Sequence, residues 1–131
     1  MGQLNGSEIL AKALKREGVE ELFFLMGGPM LTAEAATIQE GIRCIDVRHE
    51  QAAAMMAQAY SRLRQKPGFC MAASGPATIN LSTGLANALI DCCPVVALGG
   101  ASPMLGNGKQ VFQEIDQMEI MSGCVKYAAR I

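Results

Sequence analysis

The chain has 131 residues, half of them hydrophobic and 18% charged, with a formal net charge of −1. That length supplies one buried core and not two, and low charge with high apolar content excludes an intrinsically disordered chain. The charge balance offers no basic footprint for nucleic acid or an anionic membrane, so neither is expected as a partner.

In chain order, Ser7 can cap a helix whose apolar stripe is Ile9, Leu10, Ala13 and Leu14, stopped by Gly18. Leu22 to Met26 is a short apolar run, read as a buried strand and ended by Gly27-Gly28-Pro29. Thr32 to Glu40 reads as a helix closed by Gly41, and Ile42 to Val47 as a second strand. Glu50 to Arg64 is a helix by composition, with Glu50 at its start and Arg62 and Arg64 near its end to suit the dipole. Phe69 to Ala73 is a third strand, followed by Ser74-Gly75-Pro76. Thr78 to Asp91 reads as an apolar helix and Val95 to Leu98 as a fourth strand. A glycine-rich loop, a short helix around Gln113 to Met121 and a last strand from Val125 complete the pattern.

Strands alternating with helices predict an α/β domain with a doubly wound parallel sheet and helices on both faces. Ligands in such folds bind beyond the carboxyl ends of the strands. Those ends are Gly27-Gly28, His49-Glu50, Ser74-Gly75-Pro76 and Gly99-Gly100, which places the interesting loops on one edge. From Pro67 to Gly108 the only charged residue is Asp91. Prolines, asparagines and glycines interrupt this stretch, so it is not a membrane span. It is expected to be either core or a surface that a partner covers.

Five cysteines include no CxxC pair and no Cys/His cluster, so no metal site is expected within this segment. The opening MGQLNGSEIL lacks a basic segment followed by an apolar run; no secretory leader is expected, and a reduced cytoplasmic protein is the simplest reading. His49 is the only histidine, and Ser74 lacks a G-x-S-x-G setting, so hydrolase triads find little support. Gly108-Lys109 lacks the first glycine and the Ser/Thr of a P-loop, and no G-x-G-x-x-G occurs.

Glu50 follows a strand and opens a helix, where a carboxylate is ordinary. Its neighbours Ala52, Ala53, Ala54, Met55 and Met56 offer it no charge partner. A carboxyl in such apolar surroundings holds its proton more tightly and can share it with a ligand nitrogen. Gly27-Gly28 is either a simple turn or a place where backbone approaches a flat ligand. Asn80, in the first turn of an apolar helix, needs a partner if it is buried. Gln113-Glu114 reads by default as a solvated helix start, and the nine methionines as core and interface filler.

Five segments taken together carry a resemblance: FFLMGGPML (23–31), RHEQAAAMMAQAYSRLRQKPGF (48–69), SGPATIN (74–80), NALIDCCPVVALGG (87–100) and VFQEIDQ (111–117), with Lys126 following. Their order and spacing resemble the N-terminal pyrimidine-binding domain of thiamine-diphosphate enzymes, in the branch of acetohydroxyacid synthase, oxalyl-CoA decarboxylase, 2-hydroxyacyl-CoA lyase and benzaldehyde lyase. The resemblance covers nearly the whole chain, 1–131. It implies that Glu50 hydrogen-bonds N1′ of the aminopyrimidine and favours the imino tautomer that deprotonates thiazolium C2. It implies cofactor-side roles for Gly27, Gly28, Pro76 and Asn80, and substrate-side roles for His49 and Gln113. Two positions depart from the family pattern: Ala77 replaces the second glycine of S-G-P-G-x-x-N, and Met26 replaces a proline.

The chain has no G-D-G sequence, so the resemblance further implies that magnesium and the diphosphate are held by a separate domain. That domain would belong to the same or another subunit, in a homodimer or homotetramer. The chain is thereby expected to be an N-terminal fragment of a longer one, stopping before the domain's final strand and inactive alone; the alternative is a naturally split enzyme. The implied activity is acetolactate-synthase-like cleavage or carboligation of a 2-oxo acid or 2-hydroxyacyl substrate. Alternatives are an oxalyl-CoA decarboxylase or 2-hydroxyacyl-CoA lyase activity on an acyl-CoA, and a non-catalytic dimerisation or regulatory domain of the same fold. In a dimer, the helix 78–91 is expected to lose exposed apolar area.

Overall fold

The computed structural model describes residues 3–131. Four parallel strands form one sheet in the order β2-β1-β3-β4: β1 Glu21–Phe24, β2 Arg43–Asp46, β3 Gly68–Ser74 and β4 Val95–Gly100. Helices α1 (Gly6–Arg16), α2 (Leu31–Gln39), α3 (Glu50–Arg64), α4 (Pro76–Asn80), α5 (Ser82–Ile90) and α6 (Gln117–Ser122) follow in chain order.

Period-2 alternation in the central strands builds two cores. Leu22, Phe24 and Met71 point to one face and pack with Leu14, Val19, Ala33 and Ile42 around α1 and α2. Phe23, Cys70 and Ala72 point to the other and meet Ala53, Ala54, Ala57, Leu81 and Leu85 of α3 and the α4–α5 region. The sheet is thus covered on both sides, as the alternating pattern predicts. From β1 the chain steps to β2 on one side, then returns past β1 to β3 on the other. This reversal makes the β1/β3 boundary the switch point, where a crevice opens beyond the strands' carboxyl ends.

Helix α3 has the predicted limits, and its capping residue is His49, whose Nδ1 accepts the Gln51 N–H at 3.1 Å. Helix α1 is capped by Asn5 and not Ser7. Asn5 Oδ1 accepts the Glu8 N–H at 3.0 Å and Glu8 returns a bond to the Asn5 N–H at 2.8 Å, a reciprocal box that Ser7 cannot make from inside the helix.

The helix expected over 78–91 starts earlier, at Pro76, and divides at Leu81, whose N–H bonds back only three residues to Thr78. Its apolar surface is also less available than expected. Gly84, Leu85 and Ala88 are buried within the chain, leaving Leu89 and Ile90 (80% exposed) at its end. The helix expected over 113–121 is confined to Gln117–Ser122: Gln113 takes a left-handed φ of 61°, which a helix cannot include, and regular structure begins only after Asp116. No strand forms from Val125; residues 125–131 follow an irregular path without ladder bonds. Ala77 lies inside α4 on a helical backbone and is buried, so its methyl is accommodated at the position where the family pattern named above has glycine.

Among the described residues no helix is long and apolar enough to cross a membrane.

Candidate functional site

Glu50 is the first residue of α3, delivered to the edge of the sheet by the short β2–α3 connection. Only 9% of it is exposed. Arg48, the nearest cation in sequence, is engaged by Asp46 and so is spent elsewhere. The partner of Glu50 comes from the next crossover: Asn80, last residue of α4, donates Nδ2 to Glu50 Oε2 at 2.9 Å. Among the described residues no donor reaches the other carboxyl oxygen, Oε1. The site therefore holds one acid with one oxygen fixed by an amide and one oxygen free.

The switch-point crevice is floored by glycine. A Cβ built on Gly27, just after β1, would run into the Cβ of Ala73 on β3, so the bare backbone is what lets the β1 loop close on the β3 end. The next residue, Gly28, opens a 3-10 turn (Gly28–Met30) and has open space around the place a Cβ would occupy. Gly75, after β3, holds φ 57° and ψ −116°, a conformation that side chains disfavour, and the Gln113 carbonyl packs directly on its Cα. Pro76, exposed, then sets the first turn of α4 and so the direction in which Asn80 is presented.

Gln113 lies over this turn, and its Oε1 accepts from Ser74 Oγ at 3.4 Å. Its loop is fastened by Glu114, which receives the Gly108 N–H at 2.5 Å and the Val111 N–H at 3.1 Å. These bonds, that from Gly108 first, hold the Glu114 carboxyl below its ordinary range. His49 is exposed and its ring serves the helix backbone through Nδ1.

The structure thus pairs Glu50 with Asn80, sets Gln113 against Ser74 and Gly75, and packs Gly27 on the end of β3. Ser74, Glu114 and Gln117 are site residues that the sequence reading did not assign. Ser74 and Gln117 bond across 39 and 42 residues, so no local spacing could mark them, whereas Glu114 bonds locally, to Gly108 and Val111.

Cysteine chemistry finds little support in the sheet. Burial pushes the Cys70 thiol up to about 12, and burial with the nearby Glu34 carboxylate raises Cys44 to about 11, so both stay protonated near neutrality. A groove of about 380 Å³ lies at the opposite edge, between the α5–β4 turn and residues 124–126. Its lining contains no acid.

A family model described as "Thiamine pyrophosphate enzyme, N-terminal TPP binding domain" matches residues 4–120. The chain belongs to this family. Among its relatives, the acetolactate synthase isozyme 2 large subunit of Escherichia coli is 39% identical over 127 residues, covering 95% of this chain and 23% of the relative. The chloroplastic acetolactate synthase of Arabidopsis thaliana is 41% identical over 123 residues, covering 93% and 18%. The 2-hydroxyacyl-CoA lyase 1 of Homo sapiens is 38% identical over 128 residues, covering 98% and 22%. The chain therefore spans about a fifth of the length of these relatives.

The donor set fits the ring end of thiamine diphosphate. A flat aminopyrimidine needs a carboxyl able to meet a ring nitrogen, and the chain carries one with an unengaged oxygen on Glu50, while Gly28 has open space where a Cβ would stand. No cluster of three or more His, Cys, Asp or Glu side chains is placed to hold a metal ion among the described residues.

Proposed function

We propose that this domain binds the aminopyrimidine of thiamine diphosphate and supplies Glu50 as the group that exchanges a proton with the ring. The observation that carries the reading is the Glu50–Asn80 pair: a buried carboxyl with one oxygen held at 2.9 Å and the other free. When bound, thiamine diphosphate supplies a carbon nucleophile that adds to a carbonyl and then stores the electron pair left by C–C cleavage.

The residues of this chain contribute binding, orientation and proton placement. Asn80 fixes the carboxyl plane, so the free oxygen is presented in one direction. The apolar neighbours of Glu50 in α3 keep water from competing for the proton it shares. Gly27 and Gly28 bring bare backbone to the crevice, and Pro76 sets the turn that aims α4. Gln113 and the exposed His49 lie toward the side from which a substrate would approach. None of the groups described would hold the diphosphate, and that task with its magnesium falls to a domain elsewhere in the same or a neighbouring subunit. By itself the segment is then inactive.

The reaction supported best is acetolactate-synthase-like cleavage or carboligation of a 2-oxo acid. Comparable identity to 2-hydroxyacyl-CoA lyases supports the second reading, in which the substrate is a 2-hydroxyacyl-CoA. The test is thiamine-diphosphate-dependent carboligation and cleavage by the protein with all its domains, with and without Glu50→Gln. Losing a positioned acid–base group lowers such rates by about 10²–10⁴-fold; unchanged turnover in the variant would overturn the reading.

A further inference from the structure

One side chain joins the ends of β3 and β4, and none of the roles above uses it. Gln117, the first residue of α6, accepts the Gly75 N–H at Oε1 (2.7 Å) and donates from Nε2 to the Gly100 carbonyl (2.8 Å). Both halves of its amide are engaged, so its orientation is fixed. Both partners are buried residues at the last step of the sheet: Ser74 pairs with Gly100 after a register shift, and Gly75 lies one residue beyond. The ladder gives the Gly75 N–H no strand partner, and a buried N–H left unpaired is costly.

From this geometry we infer that Gln117 is a positioning residue for the Glu50–Asn80 pair. The inference rests on the proposed cofactor role of that pair. Gly75 has no side chain to hold its φ of 57° and ψ of −116°, so the conformation is imposed from outside. The Gln113 carbonyl presses on one side and Gln117 holds the N–H. The next residue, Pro76, starts α4, a five-residue helix that ends at Asn80. A rotation at Gly75 is therefore transmitted along α4 to the amide that fixes Glu50 Oε2. The same Gln117 side chain ties α6, and with it residues 113–116, down onto the turn.

Two substitutions in the protein with all its domains separate the two bonds. Gln117→Glu keeps an acceptor for Gly75 and loses the donor to Gly100; Gln117→Lys does the reverse. The first readout is amide exchange in the peptide spanning 72–80, which needs no cofactor. The second is the affinity for thiamine diphosphate with magnesium by calorimetry. The Lys variant is expected to exchange at Gly75 about tenfold faster and to bind the cofactor about tenfold more weakly. The Glu variant is expected to keep Gly75 protected and to bind within about threefold of wild type.

Equal affinity in the two variants and wild type would overturn the positioning role, as would weakened binding with unchanged exchange at Gly75. If the Lys variant fails to fold, Gln117→Met, which offers neither bond at similar length, replaces it with the same expectations. If wild-type protein binds no thiamine diphosphate, the cofactor reading fails and takes the positioning role with it. If Glu50→Gln abolishes turnover while both Gln117 variants bind normally, the positioning role alone fails.

Discussion

Asn80 reaches Glu50 across a gap of thirty residues and fixes one of its two carboxyl oxygens at 2.9 Å. The two residues lie at opposite ends of their helices, the acid at the start of α3 and the amide at the end of α4. The carboxyl therefore meets the positive end of one helix dipole and a neutral donor from the other. Among the described residues no cation bonds to the pair, so the carboxyl carries no salt bridge.

Asn80→Ala should preserve the fold and weaken the site. Asn80 is itself exposed, and its side chain's described partner is Glu50. Loss of a hydrogen bond to a charged group costs about 1.5–3 kcal/mol, or roughly ten- to a hundredfold. That loss is expected in cofactor affinity or turnover, with little change in the thermal midpoint. A variant with normal affinity and turnover would show that the amide is dispensable.

The two adjacent glycines should separate under substitution. Gly27→Ala places a methyl on the Ala73 methyl and forces the β1 loop away from β3, an overpacking expected to cost about 1–3 kcal/mol. Gly28→Ala meets open space and should leave stability within about 0.5 kcal/mol. Denaturant unfolding checks both. In the same samples, Gly28→Ala should still weaken cofactor binding, because its methyl projects where the ring face is proposed to lie.

Acid should loosen the loop that carries Gln113. Backbone N–H groups, led by that of Gly108, lower the folded-state affinity of Glu114 for protons. Such a group stabilises the fold above the ordinary carboxyl range, and the contribution is lost as pH falls through its depressed folded value. Limited proteolysis between residues 104 and 114 should accelerate on acidification into that range. In Glu114→Gln the loop should be looser at neutral pH and lose this acid step; an unchanged step would assign it to another group.

The sheet was legible because β3 and β4 are uncharged, mostly apolar runs and β1 and β2 carry short apolar centres between helical segments, and α3 because composition, dipole charges and both ends agree. The division of α4 from α5 was not, since Leu81 is as apolar as its neighbours and the break is a matter of hydrogen-bond reach. The expected strand after Val125 failed because a β-branched residue near an apolar pair predicts extension only where a ladder neighbour exists. In the site, Glu50, Asn80 and the glycines could be named from local pattern and family resemblance. The contacts of Gln117 could not: Gly75 lies 42 residues away and Gly100 lies 17, and neither separation has a local signature.

The two margins of the sheet are chemically unlike. β2 ends in Arg43 and Asp46, charged groups that discourage a foreign strand from adding there. β4, at the other margin, reads Val-Val-Ala-Leu-Gly-Gly, with Val96 43% exposed. Unpaired backbone on an apolar margin is a template for edge-to-edge growth. Handled apart from whatever covers β4, this domain should therefore self-associate from that side first. A lysine at position 96 would be the economical way to keep it in solution.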